Sequence, residues 1–342
     1  MKGSVIALFT HQGRNGAAHL VNGQLHDLLL DGDGPMPGAI FRAICDRPIK
    51  GAGGIFVKLP DGQRGYLRHG KGLVAGQSVL VQATGHAEPG KAIPLTNKII
   101  FKSRYAIATP GAPGRNVSRS IRDEEEIVRL KELAHDADIP EGMGLIIRSL
   151  AEGAQDDAVA SDIALVCKLA RSVAEDTGQG PETLVEGRDA QAMAWTEWPA
   201  PDVYDDSQAA FENHQIADHI DAVLTPSFSI ADAQYFIEPT RALVAVDVNT
   251  GKDGSLAAGL KANIALARDL PRQLRCRGLG GQITLDLAPM PKKERRGFEQ
   301  VLRRAFKQDS IDTALAGWTP LGHYELQRKR ERLPIAEVLS AP

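Results

Sequence analysis

Cysteine is scarce in this sequence, and long apolar runs are missing. The three cysteines, Cys45, Cys167 and Cys276, lie far apart and form no CxxC pair, so neither a disulfide framework nor a zinc site is indicated. No run reaches membrane-spanning length, and the amino terminus lacks a positive segment followed by an apolar core. These absences exclude disulfide-rich secreted proteins and membrane-spanning proteins, and they favour a soluble protein of the cytoplasm.

A strong excess of charge of either sign is also missing. The 342 residues carry a net charge of −3 with a pI of about 6.3, which does not indicate a generally basic nucleic-acid-binding protein. Hydrophobic residues make up 43% of the chain, which is enough for the cores of two or three domains.

Basic residues nevertheless concentrate from Pro291 onward. They are Lys292, Lys293, Arg295, Arg296, Arg303, Arg304, Lys307, Arg328, Lys329, Arg330 and Arg332. Residues 292–307 predict an amphipathic helix, and its charges are most simply interpreted as a solvated face. The same face would attract phosphate groups. The residues predicted to face inward on this helix are Phe298, Val301, Leu302 and Phe306.

Lone polar groups interrupt two apolar strand patterns. Asp247 and Asn249 alternate with valines in the first, and Asp286 alternates with aliphatic residues in the second. Because side chains alternate between the two faces of a strand, these three groups are predicted to lie opposite the apolar face. A carboxylate among aliphatic residues is costly unless it is paired or bound to a cation, and oxygen ligands of this kind suit Mg²⁺ or Mn²⁺.

A structural role is the alternative for each aspartate. A strand aspartate can cap the element that follows, and Asp247 could accept hydrogen bonds from the turn at residues 249–251. Two such strands favour a site instead, because a helix of suitable length lies between them and makes a strand–helix–strand unit. Ligand sites collect at the carboxyl ends of neighbouring parallel strands in open α/β sheets.

Three ordered segments carry a resemblance to a known family. They are residues 237–251 (IEPTRALVAVDVNTG), 261–265 (KANIA) and 273–286 (QLRCRGLGGQITLD). On these segments the chain resembles the ribonuclease E and ribonuclease G family of endoribonucleases. The family's two metal-binding aspartates match Asp247 and Asp286, and its neighbouring catalytic asparagine matches Asn249.

The resemblance implies an endoribonuclease that cleaves single-stranded RNA in the processing or decay of rRNA and mRNA. Mg²⁺, or Mn²⁺ in its place, would activate water for attack on a phosphodiester, leaving 5′-phosphate and 3′-hydroxyl ends. The alternative is a catalytically degenerate relative that binds RNA without cleaving it. Two departures support this alternative: the segment after Asn249 is shortened to residues 252–255, and residues 287–290 lack the family's second aspartate.

The resemblance also implies a mixed α/β fold of several subdomains. Residues 1–36 and 191–238 would form the two parts of a ribonuclease-H-like subdomain. An OB-fold RNA-binding barrel (residues 37–103) and a region similar to the family's 5′ sensor (residues 104–190) would be inserted between them. Residues 239–342 would form a deoxyribonuclease-I-like catalytic subdomain.

Within the predicted barrel, short strands alternate with turns, and Asp61 with Gly62 is a strong hairpin signal. The family's RNA-contacting aromatic residues match Phe56 and Tyr66, and a basic neighbour matches Lys91. Exposed rings stack on bases while a cation holds the RNA backbone. The alternative is that both rings belong to the barrel core, which is the commoner position of aromatic residues.

An apolar strand beginning at Met143 ends in Arg148 and Ser149, which resemble the family's sensor of a 5′-monophosphorylated RNA end. Arg148 would bind the terminal phosphate through a forked contact, and Ser149 stands where threonine is usual. The family's further arginine is missing after the helix that ends near Gln308, where Asp309 would repel a phosphate. The alternative for Arg148 is a structural ion pair.

Zinc-linked oligomerisation is not expected. Family members usually carry a cysteine pair, beyond the catalytic domain, that binds a zinc ion shared between protomers, and this sequence has no such pair. An oligomer would therefore need another interface.

Local patterns predict three helices and one interruption. The helices are expected at residues 123–135, 156–174 and about 206–223. Pro271 is expected to kink or end the helix that follows Ser255.

Overall fold

The computed structural model describes residues 3–47, 53–87 and 90–340. The chain divides into two compact units, Met1–Asp33 with Pro201–Pro342, and Gly34–Ala200. The strands, in chain order, are β1 Ser4–His11, β2 Arg14–Val21, β3 Gln24–Leu30, β4 Ile40–Cys45, β5 Ile55–Lys58, β6 Arg64–Leu67, β7 Ser78–Ala83, β8 Ile93–Thr96, β9 Phe101–Lys102, β10 Ala106–Pro110, β11 Gly114–Val117, β12 Met143–Ile147, β13 Glu182–Val185, β14 Val203–Asp205, β15 Ser227–Ile230, β16 Ala233–Pro239, β17 Val244–Asn249, β18 Gly281–Asp286, β19 Thr313–Trp318 and β20 Tyr324–Arg328. The helices are α1 Glu124–Asp136, α2 Asp156–Ala174, α3 Ala190–Glu197, α4 Ala210–Asn213, α5 Ile216–Leu224, α6 Leu256–Arg277, α7 Arg295–Lys307 and α8 Ile335–Ser340. Across the described ranges, no helix combines the length and the apolar character needed to span a membrane.

The first unit contains two sheets. The four-stranded sheet has the order β14-β1-β2-β3, and the six-stranded sheet has the order β15-β16-β17-β18-β20-β19. Helices α4, α5 and α8 contribute to the core of the first sheet, while α6 and α7 cover the second. Helix α6 serves both cores, because Cys276 belongs to the first core whereas Leu266, Leu270 and Leu274 are buried in the second.

The second unit contains a closed barrel and a smaller sheet. Strands β4, β5, β6, β8 and β7 pair in that order, and β7 pairs again with β4, which closes a five-stranded, OB-like barrel. The hairpin signal is confirmed, since Asp61 and Gly62, with φ of 54° and 72°, form the turn between β5 and β6. The sheet β11-β12-β10-β9 packs against α1 and α2.

The predicted helices match the structure in part. Those at residues 123–135 and 156–174 are confirmed as α1 and α2. The expected helix at about 206–223 is divided into α4 and α5, because Gln215 between them adopts a left-handed φ of 52°. Helix α6 does not end at Pro271 but continues to Arg277. An internal proline costs about 3 kcal/mol, and the burial of Pro271 with its apolar neighbours on this helix offsets that cost.

A buried ion network joins distant segments of the first unit. The fully buried carboxylate of Asp309 pairs with Arg275 of α6 and with Arg328 of β20, the latter at 2.6 Å. The Nε atom of Arg275 also lies 3.4 Å from the carboxylate of Asp27 in β3, which in turn pairs with Arg332. The network therefore ties β3, α6 and β20 together, and each charge is tolerated away from water because a partner is present.

Replacing Asp309 tests the contribution of this network to stability. We expect Asp309→Asn to lower the free energy of unfolding by about 3–5 kcal/mol, because the buried Arg328 loses its carboxylate partner and Arg275 keeps only Asp27. Urea unfolding followed by intrinsic fluorescence measures the change. Asp312→Asn is the matched control, since Asp312 is 81% exposed where it pairs with Lys329, and an exposed pair contributes at most about 1 kcal/mol. Equal losses in the two variants would contradict a special role for the buried network.

Candidate functional site

Strands β17 and β18 run parallel and adjacent, and their register pairs Asp247 directly with Asp286. Burial alternates along both strands, so the aliphatic residues enter the core while Asp247, Asn249 and Asp286 are exposed. The predicted sidedness is therefore confirmed. Because paired residues on neighbouring strands point to the same face and strands lie about 4.8 Å apart, the two carboxylates are neighbours at the carboxyl ends of two parallel strands.

The exposure of these carboxylates bears on the prediction of a metal site. That prediction rested partly on the cost of burying a carboxylate among aliphatic residues. Asp247 and Asp286 lie on the face opposite the aliphatic core, so no such cost has to be offset. The case for a metal site rests instead on the convergence of the two groups.

Asn249 caps the turn that follows β17. Its Oδ1 accepts a hydrogen bond of 2.9 Å from the amide of Gly251, which has the left-handed φ of 69° that favours glycine. The structural role considered for Asp247 therefore falls to Asn249. The bond also fixes the orientation of the Asn249 side chain and leaves its amide nitrogen as the group that can donate to a ligand.

His323 lies beside this pair, a position that no sequence motif indicated. Its Nε2 is 3.7 Å from Oδ1 of Asp286. The antiparallel pairing of β18 with β20 places Leu285 opposite Tyr324, and so brings His323, the residue just before β20, towards Asp286. Within the described ranges, no group of three or more His, Cys, Asp or Glu side chains is close enough to hold a metal ion. The candidate ligands are therefore two carboxylates, and Mg²⁺ commonly binds one or two carboxylates while keeping several waters.

Asn263 of α6 anchors the chain that follows Asp286, a role that no sequence motif indicated. Its fully buried side chain donates from Nδ2 to the carbonyl of Ala288 at 2.8 Å and accepts from the amide of Ala288 at 3.1 Å. These bonds fix the chain two residues beyond Asp286. The available signal was an amide residue within the apolar face of α6, since Ala262 and Leu266 are buried beside it.

Phe56 and Tyr66 lie on the outer face of the barrel. They are paired in the register of β5 and β6, and their ring centroids are 5.2 Å apart. Both are half-buried, whereas the alternating residues Val57 and Leu67 fill the core. The core alternative is therefore wrong for both rings, and their contact with RNA stays a prediction. Lys91 is exposed in the connection that leads to β8.

Arg148 is held by several bonds within the second unit. Its guanidinium donates to main-chain carbonyls, including that of Thr196 at 2.8 Å, and to the carboxylate of Glu197 at 2.7 Å. Glu197 also pairs with Lys102 at 2.7 Å. Burial acts to raise the pKa of Glu197, but Lys102 and Arg148 outweigh it and hold that pKa below its usual value. These contacts favour the structural ion pair, and phosphate binding by Arg148 and the exposed Ser149 stays a prediction.

The basic segment near the carboxyl end has two different settings. Helix α7 buries Phe298, Leu302 and Phe306 as predicted, and its exposed face carries arginine and lysine residues. Arg328, by contrast, is buried in the ion network, where it helps to neutralise Asp309. The carboxylate of Asp309 is thus enclosed by arginines and is not open to a phosphate.

Comparison with known proteins supports the resemblance. The sequence profile described as "Ribonuclease E/G family" matches residues 101–203 and 199–331, which is more than half of the chain. Ribonuclease G of Salmonella typhimurium is 28% identical over 306 residues, covering 77% of this chain and 62% of that protein. Ribonuclease E of Synechocystis is 26% identical over 377 residues, covering 93% of this chain and 56% of that protein. Ribonuclease E of Nostoc is 27% identical over 382 residues, covering 94% of this chain and 55% of that protein.

This chain therefore spans less than two thirds of the length of these relatives. The profile match covers both the strands that carry Asp247 and Asp286 and the region around Arg148. The chain belongs to the ribonuclease E/G family.

Proposed function

We propose that this protein is a metal-dependent endoribonuclease that cleaves single-stranded RNA during RNA processing or decay. The observation that carries the proposal is the direct pairing of Asp247 with Asp286, both exposed at the carboxyl ends of parallel strands. The names of the relatives support the substrate class. The retention of all three matched residues favours an enzyme over an RNA-binding protein that has lost cleavage.

Asp247 and Asp286 fit a hard divalent cation, because they supply two neighbouring carboxylates with open solvent beside them. They would hold Mg²⁺, with Mn²⁺ as a substitute. Such a cation lowers the pKa of a bound water and offsets the charge that grows on a phosphodiester. Asn249 would donate its amide nitrogen to a phosphate oxygen or to the attacking water, since its oxygen is held by Gly251.

We assign the four-stranded sheet of the first unit to the ribonuclease-H-like subdomain, and the six-stranded sheet with α6 and α7 to the deoxyribonuclease-I-like subdomain. The barrel would bind the RNA through Phe56, Tyr66 and Lys91. Stacking on such rings tolerates any sequence but requires unpaired bases, which is consistent with a single-stranded substrate.

The first test is cleavage of a fluorescent single-stranded RNA. We expect cleavage to require Mg²⁺ or Mn²⁺ and to fall at least about 100-fold in Asp247→Asn and in Asp286→Asn, because several kcal/mol of charge stabilisation are lost. Asp218→Asn is the matched control, since Asp218 is exposed on α5. This variant should cleave the RNA at the rate of the unmodified protein. Binding of RNA without cleavage by the unmodified protein, with both metals, would support the degenerate RNA-binding alternative.

Asn263 is proposed as a positioning residue for Asp286. We expect Asn263→Ala to raise the Mg²⁺ concentration needed for half-maximal cleavage by about tenfold. The loss of contacts that hold metal ligands in place typically lowers metal affinity by at least that factor. The same variant loses two buried hydrogen bonds and about 1–3 kcal/mol of stability. Titration with Mg²⁺ at a temperature where the variant is folded separates the two effects.

Gln300→Ala is the control for Asn263, because Gln300 is an exposed amide on α7. An unchanged Mg²⁺ requirement in folded Asn263→Ala would show that the contact with Ala288 is purely structural.

The two alternatives for Arg148 predict different substrate preferences. If Arg148 serves only in the structural ion pair with Glu197, RNA with a 5′-monophosphate and RNA with a 5′-hydroxyl should be cleaved at similar rates. Matched substrates of one sequence measure the ratio. Faster cleavage of the monophosphorylated RNA, lost in both Arg148→Gln and Ser149→Ala, would instead support the 5′-sensor assignment.

A further inference from the structure

The outer face of the β5–β6 hairpin carries two rings followed by two cations. The register pairs Phe56 with Tyr66 and, one alternation further along, Lys58 with Arg64. Residues two apart in a strand point to the same face, so all four side chains lie on the outside of the barrel. About 6.7 Å along each strand separates the rings from the cations.

The two cations border a cavity at the closed end of the hairpin. Its volume is about 720 Å³, and its lining includes Lys58, Arg64, the turn residues Asp61 and Gly62, and Asp46. The two cations therefore belong both to the lining of the cavity and to the face that carries the rings. Its lining contains two cations, Lys58 and Arg64, and two carboxylates, Asp46 and Asp61, so the cavity has no net excess of positive charge.

The contacts of Arg64 show how the ring and the cavity are connected. Its Cζ lies 4.7 Å from the centroid of the Phe56 ring. Its nearest nitrogen is 3.9 Å from the carboxylate of Asp46, and the two side chains are 60% and 38% exposed. An ion pair of this length and exposure contributes little. The guanidinium, which lies over the Phe56 ring, can therefore leave Asp46 for a phosphate as a base takes its place on that ring.

We propose that Lys58 and Arg64 bind the phosphate groups of the same RNA strand whose bases stack on Phe56 and Tyr66. This inference rests on the proposed function, and it extends the RNA-binding site beyond the residues that the family resemblance supplies. In this proposal, a phosphate next to the stacked base would lie at the hairpin-end cavity, which Lys58 and Arg64 border. The rings supply contact with any base, and the cations supply the salt-dependent part of the affinity.

The test is the salt dependence of RNA binding, measured by fluorescence anisotropy in the Asp247→Asn background so that no RNA is cleaved. We expect Lys58→Ala and Arg64→Ala each to weaken binding and to reduce the slope of log affinity against log salt by about 0.7, the contribution of one phosphate contact on a single strand. Phe56→Ala should weaken binding about tenfold or more with little change in slope. Arg64→Lys should keep the slope, because it keeps the charge.

Lys168→Ala is the matched control, since Lys168 is an exposed cation on α2 in the same unit, and its slope should equal that of the background protein. Unchanged slopes in both Lys58→Ala and Arg64→Ala, or no RNA binding by the background protein, would overturn the inference. Cleavage by the protein with Asp247 intact is measured separately. Its absence would remove the proposed function, whereas altered slopes would still support phosphate binding at the hairpin.

Discussion

The first unit depends on the pairing of Arg275 with carboxylates from two distant segments. A buried guanidinium is tolerated only where its charge is neutralised, and Asp27 and Asp309 supply that charge from β3 and from the segment after α7. Apolar burial is non-directional, whereas a hydrogen-bonded ion pair fixes the distance and orientation of its two partners. We interpret the network as the contact that fixes how α6 lies against both sheets.

The position of α6 in turn determines the geometry of the carboxylates. Its apolar residues pack on the buried face of β17 and β18, so the packing that stabilises these strands also directs Asp247 and Asp286 to the opposite face. Asn263 of the same helix holds the chain after Asp286. One helix therefore contributes the core of the sheet, the direction of the acidic side chains and the anchoring of the loop beyond them.

Local sequence patterns predicted much of this arrangement. They could not predict the contacts between residues that are distant in sequence. Alternation of valines with Asp247 and Asn249 predicted the exposed face, and the strand–helix–strand pattern predicted the parallel pairing of β17 with β18. The neighbour of Asp286, His323, depends on the register of β20, which no local pattern encodes. Asp309 was predicted to repel a phosphate, but its carboxylate is enclosed by Arg275 and Arg328, and no local pattern indicates these partners because they are distant in sequence. Pro271 was expected to interrupt α6, but the burial of the helix outweighs the local preference of proline.

The closure of the barrel limits the ways in which it can recognise a ligand. Each of its five strands pairs with two others in the ring, and the additional strand β13, which pairs with β4 alone, is the edge of this sheet. A further strand could therefore be added at β13, but the ring itself has no end strand to extend. The same closure protects the barrel from edge-to-edge aggregation. Recognition by the ring of five strands would therefore use side chains on its outer surface, and these can be substituted singly without breaking the hydrogen bonds that hold the ring together.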